Sequence, residues 1–109
     1  MLSPSKKYVW ATARAQLNTT NYGYISCFKL KEDGDIQTKL FTIPTTTTSG
    51  IANAVAPAFF SDEWVAMADY GLGYVQMWRF TEGSKPTAKA VARVDIADGG
   101  CCANVLWYD

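Results

Sequence analysis

GYISCFKL at 23–30 and GYVQMWRF at 73–80 share one frame of alternating side chains, and so do GIANAVAP at 50–57 and GCCANVLW at 100–107. A third pair, KKYVWATAR at 6–14 and DEWVAMAD at 62–69, extends the match. The offset is 50 or 51 residues in the first two pairs and 56 in the third, and the difference falls in a longer loop around 18–21. Such a self-repeat constrains the fold strongly, because each unit has to adopt the same local structure and bury equivalent faces. The units read as strands: runs rich in Val, Ile, Thr and aromatics, broken by Gly, Pro, Asp and Thr clusters. They place strands near 7–14, 22–30, 37–43, 52–59, 63–69, 73–80, 88–95 and 102–107. Four strands in about 50 residues is the size of one β-propeller blade. A β-sandwich of about seven strands fits the count but leaves the repeat unexplained. The expected fold is therefore all-β, a partial β-propeller of about two four-stranded blades.

The turns agree with this reading. Glu32, Asp33, Gly34 and Asp35 supply an Asp-Gly hairpin, and 81–86 serves the same place in the second unit. Nearly half the residues are apolar and 14% aromatic, enough for one small domain of 109 residues to bury a core. Ten basic residues balance ten acidic ones, with no basic block to track a phosphate backbone, so no nucleic-acid partner is expected. No apolar run approaches the ~20 residues that span a bilayer, and MLSPSKKYVW lacks the apolar core of a secretory signal. The expectation is a cytoplasmic chain with no membrane partner.

Cys27, Cys101 and Cys102 are an odd number without C-x-x-C spacing, and histidine is absent. No metal site is expected. The adjacent pair could close a vicinal disulfide, but buried cysteine ordinarily behaves as a small hydrophobe. Without histidine the commonest general base is missing, and with it the Ser-His-Asp and Cys-His arrangements. Trp10, Trp64, Trp78 and Trp107 fall in strands and read as core packing between blades. The threonines at 45–48 read as a link between blades. Asn18-Thr19-Thr20 matches a glycosylation acceptor, which means nothing without secretion.

The strings YVWATAR to NTTNYGYISCFKL, TTTSGIANAVAPAFFSDEWVAMAD and DGGCCANVLWYD resemble the C-terminal part of the fungal 3-carboxy-cis,cis-muconate cyclases. These are seven-bladed propellers related to bacterial 6-phosphogluconolactonases. The resemblance covers nearly the whole chain, yet a family member has several hundred residues. It implies a closing segment: strands two to four of one blade, one whole blade and a final first strand that closes the ring. MLSPSKKY resembles a turn inside such blades, which favours a truncated start at Met1. The other account has three or four copies assembling head to tail, each terminal strand joining the next copy. Either way the exposed blade faces need remaining blades or self-association to cover them.

In a meander the loops at 14–21, 44–51, 69–72 and 97–101 gather at one rim, with Asn53 and Asn104 early in channel-lining strands near the same mouth. The resemblance implies cofactor-free lactonization of a tricarboxylate, in which one carboxylate adds across its own conjugated double bond. Arg14 is the catalytic or substrate-binding candidate, because a guanidinium fork holds a carboxylate at two points and stays charged. Its counterpart in the second unit is taken as Asp69, so the scaffold does not require arginine there; the plain alternative is a solvated rim residue or a partner for Asp69. Asn53 and Asn104 are substrate-binding candidates, with strand-end capping as the plain alternative. A proton donor is not identifiable, and the family's catalytic set draws on blades beyond this chain, so activity of this chain alone is not expected. Two other readings stay open: a non-catalytic interaction module, favoured by the lack of histidine, and a phosphogluconolactonase-like hydrolase.

Overall fold

The computed structural model describes residues 1–14, 22–48, 52–96 and 105–108. Seven strands follow in order: β1 (Tyr8–Ala13), β2 (Tyr22–Leu30), β3 (Ile36–Thr48), β4 (Ala52–Pro57), β5 (Trp64–Asp69), β6 (Tyr74–Thr81) and β7 (Thr87–Asp95). They make two antiparallel meanders, a three-stranded sheet β1-β2-β3 and a four-stranded sheet β4-β5-β6-β7. The fold is all-β, a partial β-propeller of about two blades. Gly34 adopts a φ of +93°, which closes the β2–β3 hairpin and lets its N–H reach the Lys31 carbonyl at 3.0 Å.

Two expectations need correction. The threonines at 45–48 are not a link; they continue β3, with Thr48 opposite Tyr22. β-branched residues favour an extended backbone, and Pro44 is tolerated because β3 is an edge strand that need not donate outward. The eighth strand is also not formed over the described part of 102–107: Val105–Tyr108 carry no ladder, and the remainder lies outside the described residues. The Trp107 side chain ties this segment to the second sheet. The Trp107 indole N–H donates to the Ala56 carbonyl at 2.7 Å, and its ring meets Phe60 edge-on at 5.4 Å, beside the inner strand β4.

Residues 1–3 supply something the strand count misses. Leu2 bridges Val9, and Met1 and Trp10 exchange backbone hydrogen bonds, so the start of the chain lies along the free edge of β1. Ser3 N–H reaches the Tyr8 carbonyl at 2.9 Å, as Ala58 N–H reaches Trp64 at 2.8 Å. Residues 1–3 thus sit against β1 as the end of β4 sits against β5.

Period-two alternation sends Tyr8, Trp10, Ile25 and Cys27 to the face of the first sheet that meets the second, where Val65, Met67, Tyr74, Trp78 and Phe80 answer them. Phe80 stands edge-on to Tyr8 at 4.9 Å and to Trp10 at 5.4 Å, and Trp10 meets Phe41 at 5.7 Å. Such pairs contribute about 0.5–1.5 kcal/mol each beyond the burial of apolar area. Polar ties fix the sheets end to end. At one end the Tyr8 hydroxyl donates to Glu82 and Lys29 pairs with the same carboxylate at 3.0 Å. At the other, Gln76 Nε2 donates to Thr46 at 3.1 Å.

Candidate functional site

These two ties orient the rims. Tyr8 opens β1 and Glu82 follows β6, so the start of β1 lies at the end of β6. The end of β1, the start of β4, the end of β5 and the start of β6 therefore share the opposite rim, where Ala52 pairs with Asp69 and Asp69 with Tyr74. Arg14 directly follows β1 at this rim and is exposed. Asn53 lies one residue into β4, in a bulge: Ala52 opposes Asp69 and Ala54 opposes Ala68, which leaves Asn53 without a directly opposed residue. Bulges redirect a strand's side chains and recur beside functional sites. The Asn53 side chain lies outside the described part, and so does Asn104.

The register corrects the pairing of Arg14 with Asp69. Ala13 stands opposite Tyr24, and Asp69 stands opposite Tyr74. Because Tyr24 and Tyr74 hold the same repeat position, Asp69 answers to Ala13 and Arg14 answers to Tyr70. The 56-residue offset that sets Lys6 on Asp62 carries Arg14 to position 70, whereas matching the ends of two runs that differ by one residue in length shifts it to Asp69. Asp69 is fully buried and builds the β5–β6 hairpin: its Oδ1 accepts the Leu72 N–H at 2.9 Å and its carbonyl accepts the Gly73 N–H at 3.0 Å. Tyr70, 57% exposed, is thereby presented at the rim in the place Arg14 takes one unit earlier. Sequence reasoning passed over Tyr70, although the 56-residue offset leads to it, and the ladder register confirms it.

A second arginine near this rim has a structural task. Arg93 lies 3.9 Å from the centroid of the Tyr74 ring and pairs with Asp95 at 2.7 Å. The opposite rim carries a shallow cleft of about 250 Å³ lined by Ser5, Lys6, Lys7, Leu30, Lys31 and Glu32. Its charged residues are exposed, and Glu32 sits among the lysines, which gives it no buried polar group to orient a ligand.

The titrating groups that depart from ordinary behaviour cluster at that far end of the core. Burial, followed by its hydrogen bond to Glu82, lifts the Tyr8 phenol well above its usual range. The Tyr8 hydroxyl, followed by Lys29, holds the Glu82 carboxyl below the ordinary carboxylate range. Burial pushes the Cys27 thiol up to about 12, so it remains protonated and unreactive. These groups tie the sheets together and stand away from Arg14. Among the described residues, no three histidines, cysteines or carboxylates gather as a metal site.

Over 108 residues, 99% of its length, the chain is 40% identical to carboxy-cis,cis-muconate cyclase of Neurospora crassa. It spans 28% of that protein's length. The resemblance to the fungal cyclases thus holds along nearly the whole chain. No protein-family profile matches it.

Proposed function

We propose that this chain is the C-terminal segment of a 3-carboxy-cis,cis-muconate cyclase, contributing one rim of the active site in a complete propeller. The observation that supports this is the 40% identity over 108 residues, 99% of the chain. The reaction is an isomerisation in aromatic catabolism, in the cytoplasm, without metal or organic cofactor. One carboxylate oxygen of the substrate bonds to a carbon of the conjugated diene, and the electron pair of that double bond moves toward a second carboxylate. A proton then joins the carbon beside that carboxylate and closes a carboxymuconolactone; it replaces the proton the attacking carboxyl lost on ionising, so the acid and the lactone are isomers.

Charge accumulates on the second carboxylate as it becomes enolate-like. A fixed, permanently charged donor is what this step requires, and Arg14 supplies it by holding that carboxylate in two places. Asn53 and Asn104 donate hydrogen bonds to the remaining carboxylates from the channel side. Removing one preorganised donor of this kind costs about 2.7–4 kcal/mol, roughly a hundred- to a thousandfold in turnover. The proton donor comes from outside this chain, so the chain alone does not turn over.

The test is a graft. Replacing the matching segment of the Neurospora cyclase with this chain should give a protein that removes the ultraviolet absorption of the carboxymuconate diene. Arg14→Gln in the graft should lower the rate about a hundredfold or more. A folded graft with no activity on this substrate, but hydrolysis of 6-phosphogluconolactone, would move the chain to the hydrolase branch. A non-catalytic interaction module is the second reading, and the exposed apolar face around Val94 is the observation that favours it.

A further inference from the structure

We propose, as a step that rests on the cyclase reading, that the phenol O–H of Tyr70 holds the third carboxylate of the substrate, the one that neither attacks the diene nor collects charge.

The ladders put Tyr70 where Arg14 stands one unit earlier. Ala13 opposes Tyr24 and Asp69 opposes Tyr74, so each of the two residues directly follows its strand, β1 or β5, and leaves its sheet at the same rim. β4 pairs with β5 and packs against β1, and its first residue Ala52 opposes Asp69. The start of β4, with Asn53 in its bulge, therefore lies between Arg14 and Tyr70. Paired strands lie ~4.8 Å apart and packed sheets ~10 Å apart, which sets the two backbones on the order of 10–15 Å from each other. Two long side chains reach across such a gap around a small tricarboxylate.

The turn that presents Tyr70 is fixed by bonds in which its side chain takes no part. The buried Asp69 accepts the Leu72 N–H at 2.9 Å with Oδ1 and the Gly73 N–H at 3.0 Å with its carbonyl. Gly73 takes a φ of +71°, and its own carbonyl accepts the Ile96 N–H at 2.9 Å, which ties the turn to the residue after β7. Small and polar residues satisfy a turn of this kind, and nothing in it asks for tyrosine. Tyr70 is nonetheless exposed there, and its hydroxyl has no hydrogen-bond partner among the described residues. A large ring carrying a donor on a rigid support is the situation of a binding residue.

The reaction gives the three carboxylates different needs. One attacks, a second takes up negative charge, and the third keeps the same charge throughout. The permanently charged Arg14 suits the second, because its attraction grows as that charge develops. A neutral phenol suits the third. Its hydrogen bond is the same before and during the reaction, so it binds substrate and transition state alike, which lowers KM and leaves kcat unmoved. The third carboxylate is also what separates this substrate from the unbranched dicarboxylate of the same diene. Tyr70 thereby sets specificity, adding affinity only for the branched acid.

Tyr70→Phe, made in the graft that carries this chain in the Neurospora cyclase, keeps the ring and removes the donor. It should raise KM for 3-carboxy-cis,cis-muconate about tenfold or more and leave kcat within about twofold, whereas Arg14→Gln acts on kcat. As an inhibitor, cis,cis-muconate lacks the third carboxylate, and its inhibition constants for the graft and the variant should agree within about twofold. A folded graft inactive on the tricarboxylate would remove the cyclase reading and this proposal with it. An active graft whose KM ignores Tyr70→Phe would overturn the proposal alone. An equal loss of affinity for cis,cis-muconate, or a fall in kcat as deep as that of Arg14→Gln, would do the same.

Discussion

Trp10 offers a sharp test of how the two sheets are held. It is 1% exposed, lies between Phe41 and Phe80, and its indole N–H has no hydrogen-bond partner among the described residues. Truncation to alanine removes its ring contacts with Phe80 and Phe41 and leaves a cavity, so Trp10→Ala should cost about 3–5 kcal/mol. That is a large share of the roughly 5–15 kcal/mol that holds a domain of this size together. Trp10→Phe is a different experiment. It loses some packing, on the order of 1–2 kcal/mol, but it also removes a buried donor whose desolvation costs about 1–3 kcal/mol. The two effects nearly cancel, and Trp10→Phe should fall within about 1 kcal/mol of the unmodified chain. Urea unfolding followed by far-ultraviolet circular dichroism measures both without relying on the tryptophan removed. Equal losses in the two variants would refute the reasoning, because the indole N–H would then have to be contributing a bond.

Three other outcomes follow from the same geometry. Glu82→Gln should lower stability at pH 7 by about 1 kcal/mol, because the ion pair with Lys29 is partly solvated. The folded state holds the Glu82 carboxyl below its unfolded value, so its contribution is present above the unfolded pKa and fades as pH falls through the folded one; the variant should show a flatter acid limb in thermal melts. Cys27, with its thiol pushed up to about 12, should be alkylated at pH 8 about a thousandfold more slowly in the folded chain than in urea, as read by peptide mass mapping. Gly73 has a φ of +71° with room for a Cβ, whose nearest contact would be the Ile96 carbonyl at 3.7 Å. Gly73→Ala should therefore cost only the left-handed penalty of about 1–2 kcal/mol in a denaturant titration, and Gly73→Asn should cost less.

Strand content and repeat were legible in the sequence because both are local. Alternation in GYISCFKL and GYVQMWRF sets which residues share a face, and Asp33-Gly34 sets a hairpin whatever lies elsewhere. Segment ends were less legible. The threonines at 45–48 look like linker, but β2 offers them a ladder, and pairing outweighs composition. The segment at 105–108 has strand-like residues but carries no ladder, although it lies beside β4, an edge strand. Trp107 meets Phe60 with its ring and donates to the Ala56 carbonyl.

The candidate site divides in the same way. Arg14 could be singled out from the chain alone, since it interrupts a repeat and brings a chemistry suited to carboxylates. Its true counterpart was within reach as well, because the 56-residue offset leads to Tyr70 and only matching the ends of unequal runs leads to Asp69. Opposed pairs on the backbone make Tyr70 its equivalent and give Asp69 the task of closing a hairpin. The sequence by itself determined an all-β repeat, its turns and the rim on which Arg14 stands, because those depend on residues near one another in the chain. Only the tertiary structure decided the ladder pairing of 45–48 and the aromatic joint around Trp10 and Phe80, because each depends on which residues are brought opposite one another across tens of residues.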